Sequence, residues 1–185
     1  MERLINKPVV VEGFLTVGSR NEKKIHLKIY KNEIWGIVSA NNDIKDLILD
    51  GYKKGKLVRN SNKLRCIEDD IISVGPNALE NLKKRYPNCS EDTLSGMIEL
   101  INLDNQNITT MTEFEKRKLK MVDAYLADAD ILVLQNLYDN VNSVEKEELD
   151  AYLKDFSTCR TMILTATDDH DIIEICDKII EIIEL

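Results

Sequence analysis

Histidine is nearly missing from this 185-residue chain: His26 and His170 are the only two, so no histidine-rich metal site can be built. Carboxylate sites stay open, but no metal site stands out. Cysteine is sparse and scattered, at Cys66, Cys89, Cys159 and Cys176, with neither the density of a disulfide scaffold nor metal-ligand spacing, which fits a reducing cytosol. Long apolar runs are absent as well. No run approaches the roughly 20 residues needed to span a bilayer, and the amino terminus lacks a signal-peptide core. A cytoplasmic protein without direct membrane insertion is expected, reaching a membrane only through a partner. Basic residues are outnumbered, 25 against 33 acidic, and the net charge of -8 argues against a surface built mainly for nucleic acid or anionic lipid. Glutamine occurs only at Gln106 and Gln135.

With 43% hydrophobic residues the chain can bury one good core, and a single domain over 1–185 is expected. The first third reads as strands at Pro8 to Val17, Lys24 to Tyr30 and Glu33 to Val38, separated by turn residues at Gly18 to Asn21 and Lys31-Asn32. A helix follows at Lys45 to Tyr52, then short strands at Lys56 to Arg59, Lys63 to Ile67 and Ile71 to Val74. Two helices come next, Ala78 to Arg85 and Glu91 to Ile101, the second with Ser90 as its N-cap. Asn102 to Thr110 is the best linker candidate.

In the last 75 residues, Thr112 and Glu115 make a capping box for a helix reaching about Ala127, with Leu119, Val122 and Leu126 on one face. Ile131 to Leu134 is all apolar, as suits a central parallel strand covered on both sides. A helix from about Val144 to Phe156 turns Leu149, Leu153 and Phe156 inward and leaves Glu145, Glu147, Glu148 and Asp150 to water. A strand at Thr161 to Thr165, a short helix at Asp169 to Cys176 and a strand at Ile179 to Ile183 complete a parallel α/β layer. The basic group Lys116, Arg117, Lys118 and Lys120 spans more than one helix face and reads as a solvated surface.

The chemically suggestive stretch runs from Ile34 to Asp46: a buried strand, a turn, and a helix that opens with Lys45. This is the layout by which a Walker A loop presents its lysine to a nucleotide. Its loop chemistry is missing. Ser39, Asn42 and Ile44 stand where glycines are required, and Asp46 stands where a hydroxyl would reach magnesium. Asn41 and Asn42 tolerate left-handed backbone, but the branched Ile44 does not and fills space a glycine leaves open. Asp43 and Asp46 would repel a phosphate. Lys45, Asn41 and Asn42 are therefore the only cofactor-binding candidates, and vestigial ones. The plain alternative is a structural Lys45 paired with Asp43, Asp46 or another acid.

The order of these pieces resembles the ATP-binding domain of the ABC ATPase family. Ile25 to Gly36 matches its strand, turn and strand before Walker A; Glu80-Asn81-Leu82 is similar to its "ENL"; Asp130 to Leu134 matches Walker B; Cys176 to Ile182 matches the run near the end. The resemblance implies an α/β fold of the P-loop NTPase kind: a RecA-like parallel sheet flanked by helices, an amino-terminal antiparallel β region, and an abbreviated helical subdomain. About 1–75 would form the β-rich and Walker A half, about 76–110 the reduced helical part, and about 111–185 the Walker B half.

Carried over residue by residue, the family's working groups are gone. Gln135 and Asn136 stand where the magnesium aspartate and the water-polarising glutamate belong, and amides neither neutralise a dication nor act as a base at neutral pH. Thr167 replaces the switch histidine beside Asp168, and His170 reads as a surface or helix-start residue. The Q-loop glutamine has no counterpart. Met111 to Glu115 aligns with the signature segment but places Glu113 and Glu115 where a phosphate would be approached, and the D-loop region Asp139 to Ser143 keeps turn chemistry, with Asn142 and Glu145 as caps. The expectation is a catalytically degenerate domain with no catalytic residues, no metal and no cofactor, serving as scaffold or regulatory subunit, with an ABC permease or a second ATP-binding subunit as partner. Retained binding of ATP with magnesium, with or without weak hydrolysis, is the alternative.

Overall fold

The computed structural model describes residues 8–17, 23–39, 44–57, 63–67, 75–103, 107–168, 170 and 172–182, with the side chains of Val17, Lys23 and Lys45 outside the description. The chain forms two compact units. One comprises Met1–Cys66, Asp128–Tyr138 and Phe156–Leu185; the other comprises Ile67–Ala127 and Asp139–Asp155.

The first unit is built on strands. β1 (Val9–Val17) and β2 (Lys23–Tyr30) make an antiparallel pair in which Phe14 faces His26 and Glu12 faces Lys28. A five-stranded sheet has the order β4 (Leu64–Ile67), β5 (Ile131–Gln135), β6 (Thr161–Ala166), β3 (Ile34–Ser39), β7 (Lys178–Ile182). β3 lies parallel to both β6 and β7, and β5 parallel to β6. Every residue of β3, β5 and β6 is buried, which is why these strands read as unbroken apolar runs rather than alternating ones. Side chains alternate across a sheet, so Trp35, Ile37, Val133, Ile131 and Ile163 share one face. There they pack with Leu15, Leu27 and Ile29 of the antiparallel pair and with Ile44 and Ile48 of α1 (Ile44–Lys53). On the other face Gly36 permits a close approach: a Cβ there would lie 2.6 Å from Ile172 Cδ1 and 3.1 Å from Cys176 Sγ.

The second unit is helical: α2 (Ala78–Arg85), α3 (Glu91–Leu100), a single 3-10 turn (Ile108–Thr110), α4 (Glu113–Leu126) and most of α5 (Ser143–Ser157). Its core joins Ala78, Leu82, Leu94, Ile98, Leu119 and Val122. The expected caps are present. Ser90 accepts a hydrogen bond from Thr93 N, Thr112 and Glu115 form the full reciprocal box, and Asn142 Oδ1 accepts from Val144 and Glu145 N at 3.0 Å while Asn142 N donates to Glu145. The fold class expected from the sequence, a parallel α/β layer with an amino-terminal antiparallel region, is the one found.

Several local expectations are corrected. Lys56 and Leu57 are not strand: Gly55, at φ 67°, closes α1, and Lys56 N donates to Gly51 O at 2.8 Å, so these residues are spent on a helix end. The described residues between Asp169 and Cys176 form turns rather than a helix, with Cys176 N and Ile175 N both bonding back to Ile172 O. The segment Asn102 to Thr110 is no free linker. Leu103 and Ile108 are buried, and Asn107 bridges to Asn77. Lys118 and Lys120 are buried rather than solvated, Lys118 paired with Glu148, and Asp150 is buried against Lys146. The expected strand at Ile71 to Val74 and the turn at Gly18 to Asn21 lie outside the described residues.

Candidate functional site

The polar chemistry of the first unit gathers where the apolar face of the sheet runs out. Trp35 and Ile37 are followed on the same face by Ser39, Ile131 and Val133 by Gln135, and Ile163 by Thr165. In register, Thr165 stands beside Ile37 on one side and Gln135 on the other. The carboxyl ends of β3, β5 and β6 thus carry a row of neutral polar side chains, each buried: Ser39 4%, Gln135 8% and Thr165 7% exposed. Ligands of open parallel sheets bind outside such strand ends.

These residues, with Ile37, Ile44, Asn136 and Ala166, line a small recess that leaves about 10 Å³ for the centre of a water molecule. Asn136 follows β5 at φ 51°, and its N–H donates to Thr165 O at 3.0 Å, tying the β5 exit to β6. Asparagine suits that position because its side chain tolerates the left-handed region better than most. All four non-glycine residues with positive φ among the described residues, Asn32, Asn102, Asn136 and Asn140, are asparagines. The apolar wall is Ile44, the first residue of α1, 3% exposed and part of the core.

The residues singled out in the sequence are distributed as follows. Lys45 lies in the first turn of α1, with its side chain outside the description; Asn41, Asn42 and Asp43 lie outside the described residues. Asp46 is exposed. Gln135, Asn136, Ser39 and Ile44 are brought together. Thr167 and Asp168 are exposed beyond β6 and do not line the recess; Asp168 Oδ1 accepts from the N–H of the exposed His170 at 2.9 Å. Thr165 joins Ser39, Ile44, Gln135 and Asn136, and its signal in the sequence is a hydroxyl near the end of a mostly apolar strand. In the second unit, Thr112 and Glu115 are occupied by their cap.

A nucleotide with magnesium is the ligand this place in a parallel sheet suggests. The described recess offers hydroxyls and amides but no carboxylate to offset a dication, and Ile44 lines it as a buried apolar wall. Among the described residues no cluster of three or more histidines, cysteines or acids could hold a metal ion. No helix among the described residues is long and apolar enough to cross a membrane.

No family model matches the chain, and no curated protein is similar to it in sequence. Solved structures do share its fold. One is a transporter assigned to the metal-chelate ABC type, in an inward-facing conformation, at TM-score 0.74 and 12% identity over 96% of this chain and 79% of the other. Another is a protein from Pyrococcus furiosus assigned as an ABC transporter ATP-binding protein, at TM-score 0.74 and 15% identity over 94% of this chain and 97% of the other. The chain accordingly has the α/β fold of ABC transporter ATP-binding proteins.

Proposed function

We propose that this chain is a single ABC-ATPase-like domain that has given up catalysis and serves as a scaffold or regulatory subunit. The observation that carries this reading is Ile44, buried in the core and lining the recess at the strand ends, where a phosphate loop must stay open. Gln135 and Asn136 support it. They keep size and hydrogen bonding at the end of β5 while giving up charge, which relieves a buried strand end of needing a cation. A folded module of this kind acts through surfaces, and an ABC permease or a second ATP-binding subunit is the partner its fold suggests. Such a partner would bring a chain of cytoplasmic type to the membrane without insertion.

A second reading keeps nucleotide binding, with ATP and magnesium as ligand. It is favoured by the start of α1 immediately beyond β3, which puts a helix amino terminus and Lys45 near the strand ends. Calorimetry with MgATP and MgADP on the wild type and on Lys45→Ala separates the two. No saturable heat is expected in either protein. Saturable binding in the wild type that is lost in Lys45→Ala establishes the second reading, and turnover of MgATP would restore an enzyme.

A further inference from the structure

The recess contains a group that the rest of the unit leaves unanswered. Thr165 is 7% exposed, and its Oγ1 is buried with no hydrogen-bond partner among the described residues. Folded proteins rarely leave a buried hydroxyl unbonded, and a valine of the same shape would remove the problem altogether. The hydroxyl belongs to the lining of the recess, beside the polar groups of Ser39, Gln135 and Asn136.

The size and chemistry of the space select the ligand. About 10 Å³ for the centre of a water molecule is about what one bound water requires. An internal water also needs two to four polar partners, and the lining supplies hydroxyl and amide groups that can donate or accept as required. A divalent cation would need charge that these side chains lack. Apolar walls at Ile37, Ile44 and Ala166 leave the polar groups of the other four residues to orient the molecule.

We propose that the recess is a binding site for a single internal water molecule, bonded to Thr165 Oγ1 and to polar groups of Ser39, Gln135 and Asn136, which ties the ends of β3, β5 and β6 together without a nucleotide. The inference rests on the reading that no phosphate enters this place. The water acts as a fixed structural ligand: it satisfies the threonine hydroxyl and bridges residues at the ends of three strands.

Nuclear magnetic resonance on the full chain tests the site directly. Magnetisation transfer from a long-lived water to the amide protons of Thr165 and Asn136 is expected in the wild type and in Thr165→Ser, and is expected to vanish in Thr165→Val. In urea titrations Thr165→Val should raise the unfolding equilibrium constant about tenfold, as for a lost buried hydrogen bond. Absence of the transfer in the wild type overturns the proposal whatever the stability of the variants. A transfer unchanged in Thr165→Val also overturns it. Loss of stability when sodium and potassium are replaced by choline would assign the recess to an alkali cation and overturn it too. Addition of MgATP separates the two readings: a water present in nucleotide-free protein but displaced by MgATP upholds the water site and sinks the non-nucleotide function, whereas an absent water sinks the site alone.

Discussion

Lys118 Nζ of α4 lies 2.6 Å from Glu148 Oε1 of α5, with the lysine side chain 8% exposed and the carboxylate 30% exposed. Tyr152 donates its hydroxyl to the same oxygen at 2.7 Å, and the ammonium sits 5.0 Å from the centre of the Phe114 ring. Two helices distant in sequence are thereby joined by a charged contact inside the helical unit. Lys118→Met should lower stability by roughly 1–3 kcal/mol, because it leaves a half-buried carboxylate short of its partner. Urea denaturation at neutral pH measures this, and a variant as stable as the wild type would show the contact to be energetically idle.

The same contact makes a pH prediction. Burial pushes the Glu148 carboxyl up, but the hydrogen bonds from Lys118 and Tyr152 outweigh it and hold the group below its ordinary value. A carboxyl depressed in the folded state contributes stability above its unfolded pKa, about 4.3, and loses it as the pH falls through the lower folded value. Glu148→Gln should therefore flatten the acid limb of the stability profile, with the difference from wild type largest above about pH 5 and smallest near pH 3. For Tyr152, burial and then Glu148 push the phenol upward, so its titration should fall above the usual tyrosine range in ultraviolet difference spectra.

Local chemistry made much of the architecture readable. The capping boxes at Thr112 and Asn142, the Ser90 cap and the all-apolar β5 each depend on residues within a few positions of one another. The errors arise where the deciding partner is remote. Lys118 reads as solvated in the sequence because Glu148 lies thirty residues away, and Ile172 to Cys176 reads as helical although its turn packs Ile172 and Cys176 against Gly36 in the sheet. The site was legible by halves. Gln135, Asn136, Ser39 and Ile44 stand out in the sequence, but placing Thr165 beside them requires the register between β5 and β6.

Placing a charge in the recess should be costly. Gln135→Glu puts a carboxylate among Ser39, Thr165 and Ile44, where burial raises its pKa. A carboxyl raised in the folded state destabilises progressively above its unfolded pKa, so the variant should match the wild type near pH 4 and fall behind by about 1–3 kcal/mol at pH 7. Millimolar magnesium should not restore it. Recovery by magnesium would count against a degenerate site.

Ile44→Ala removes a core side chain and should cost about 2–4 kcal/mol in chemical denaturation. On the proposed reading, calorimetry with MgATP should give no saturable heat in the variant. An Ile44→Ala protein of wild-type stability would mean that the residue is not the wall its burial suggests.

Glycine positions offer a graded steric test. A Cβ at Gly13 would lie 1.8 Å from the backbone oxygen of Lys56, whereas one at Gly36 meets side-chain ends at 2.6 and 3.1 Å. Gly13→Ala should be the more destabilising, since backbone must move, with Gly36→Ala costing roughly 1–3 kcal/mol. Thermal melts of the two variants rank them, and the reverse order would contradict the packing.

β3 is buried along its whole length, yet it pairs with strands that begin at Thr161 and Lys178. During synthesis the first of these neighbours, β6, emerges about 130 residues after it does, a delay of roughly 6 to 25 s at ordinary translation rates. Until then its apolar strand waits without sheet partners. A chain cut before Thr161 should therefore leave β3 as an apolar strand with neither of its sheet partners.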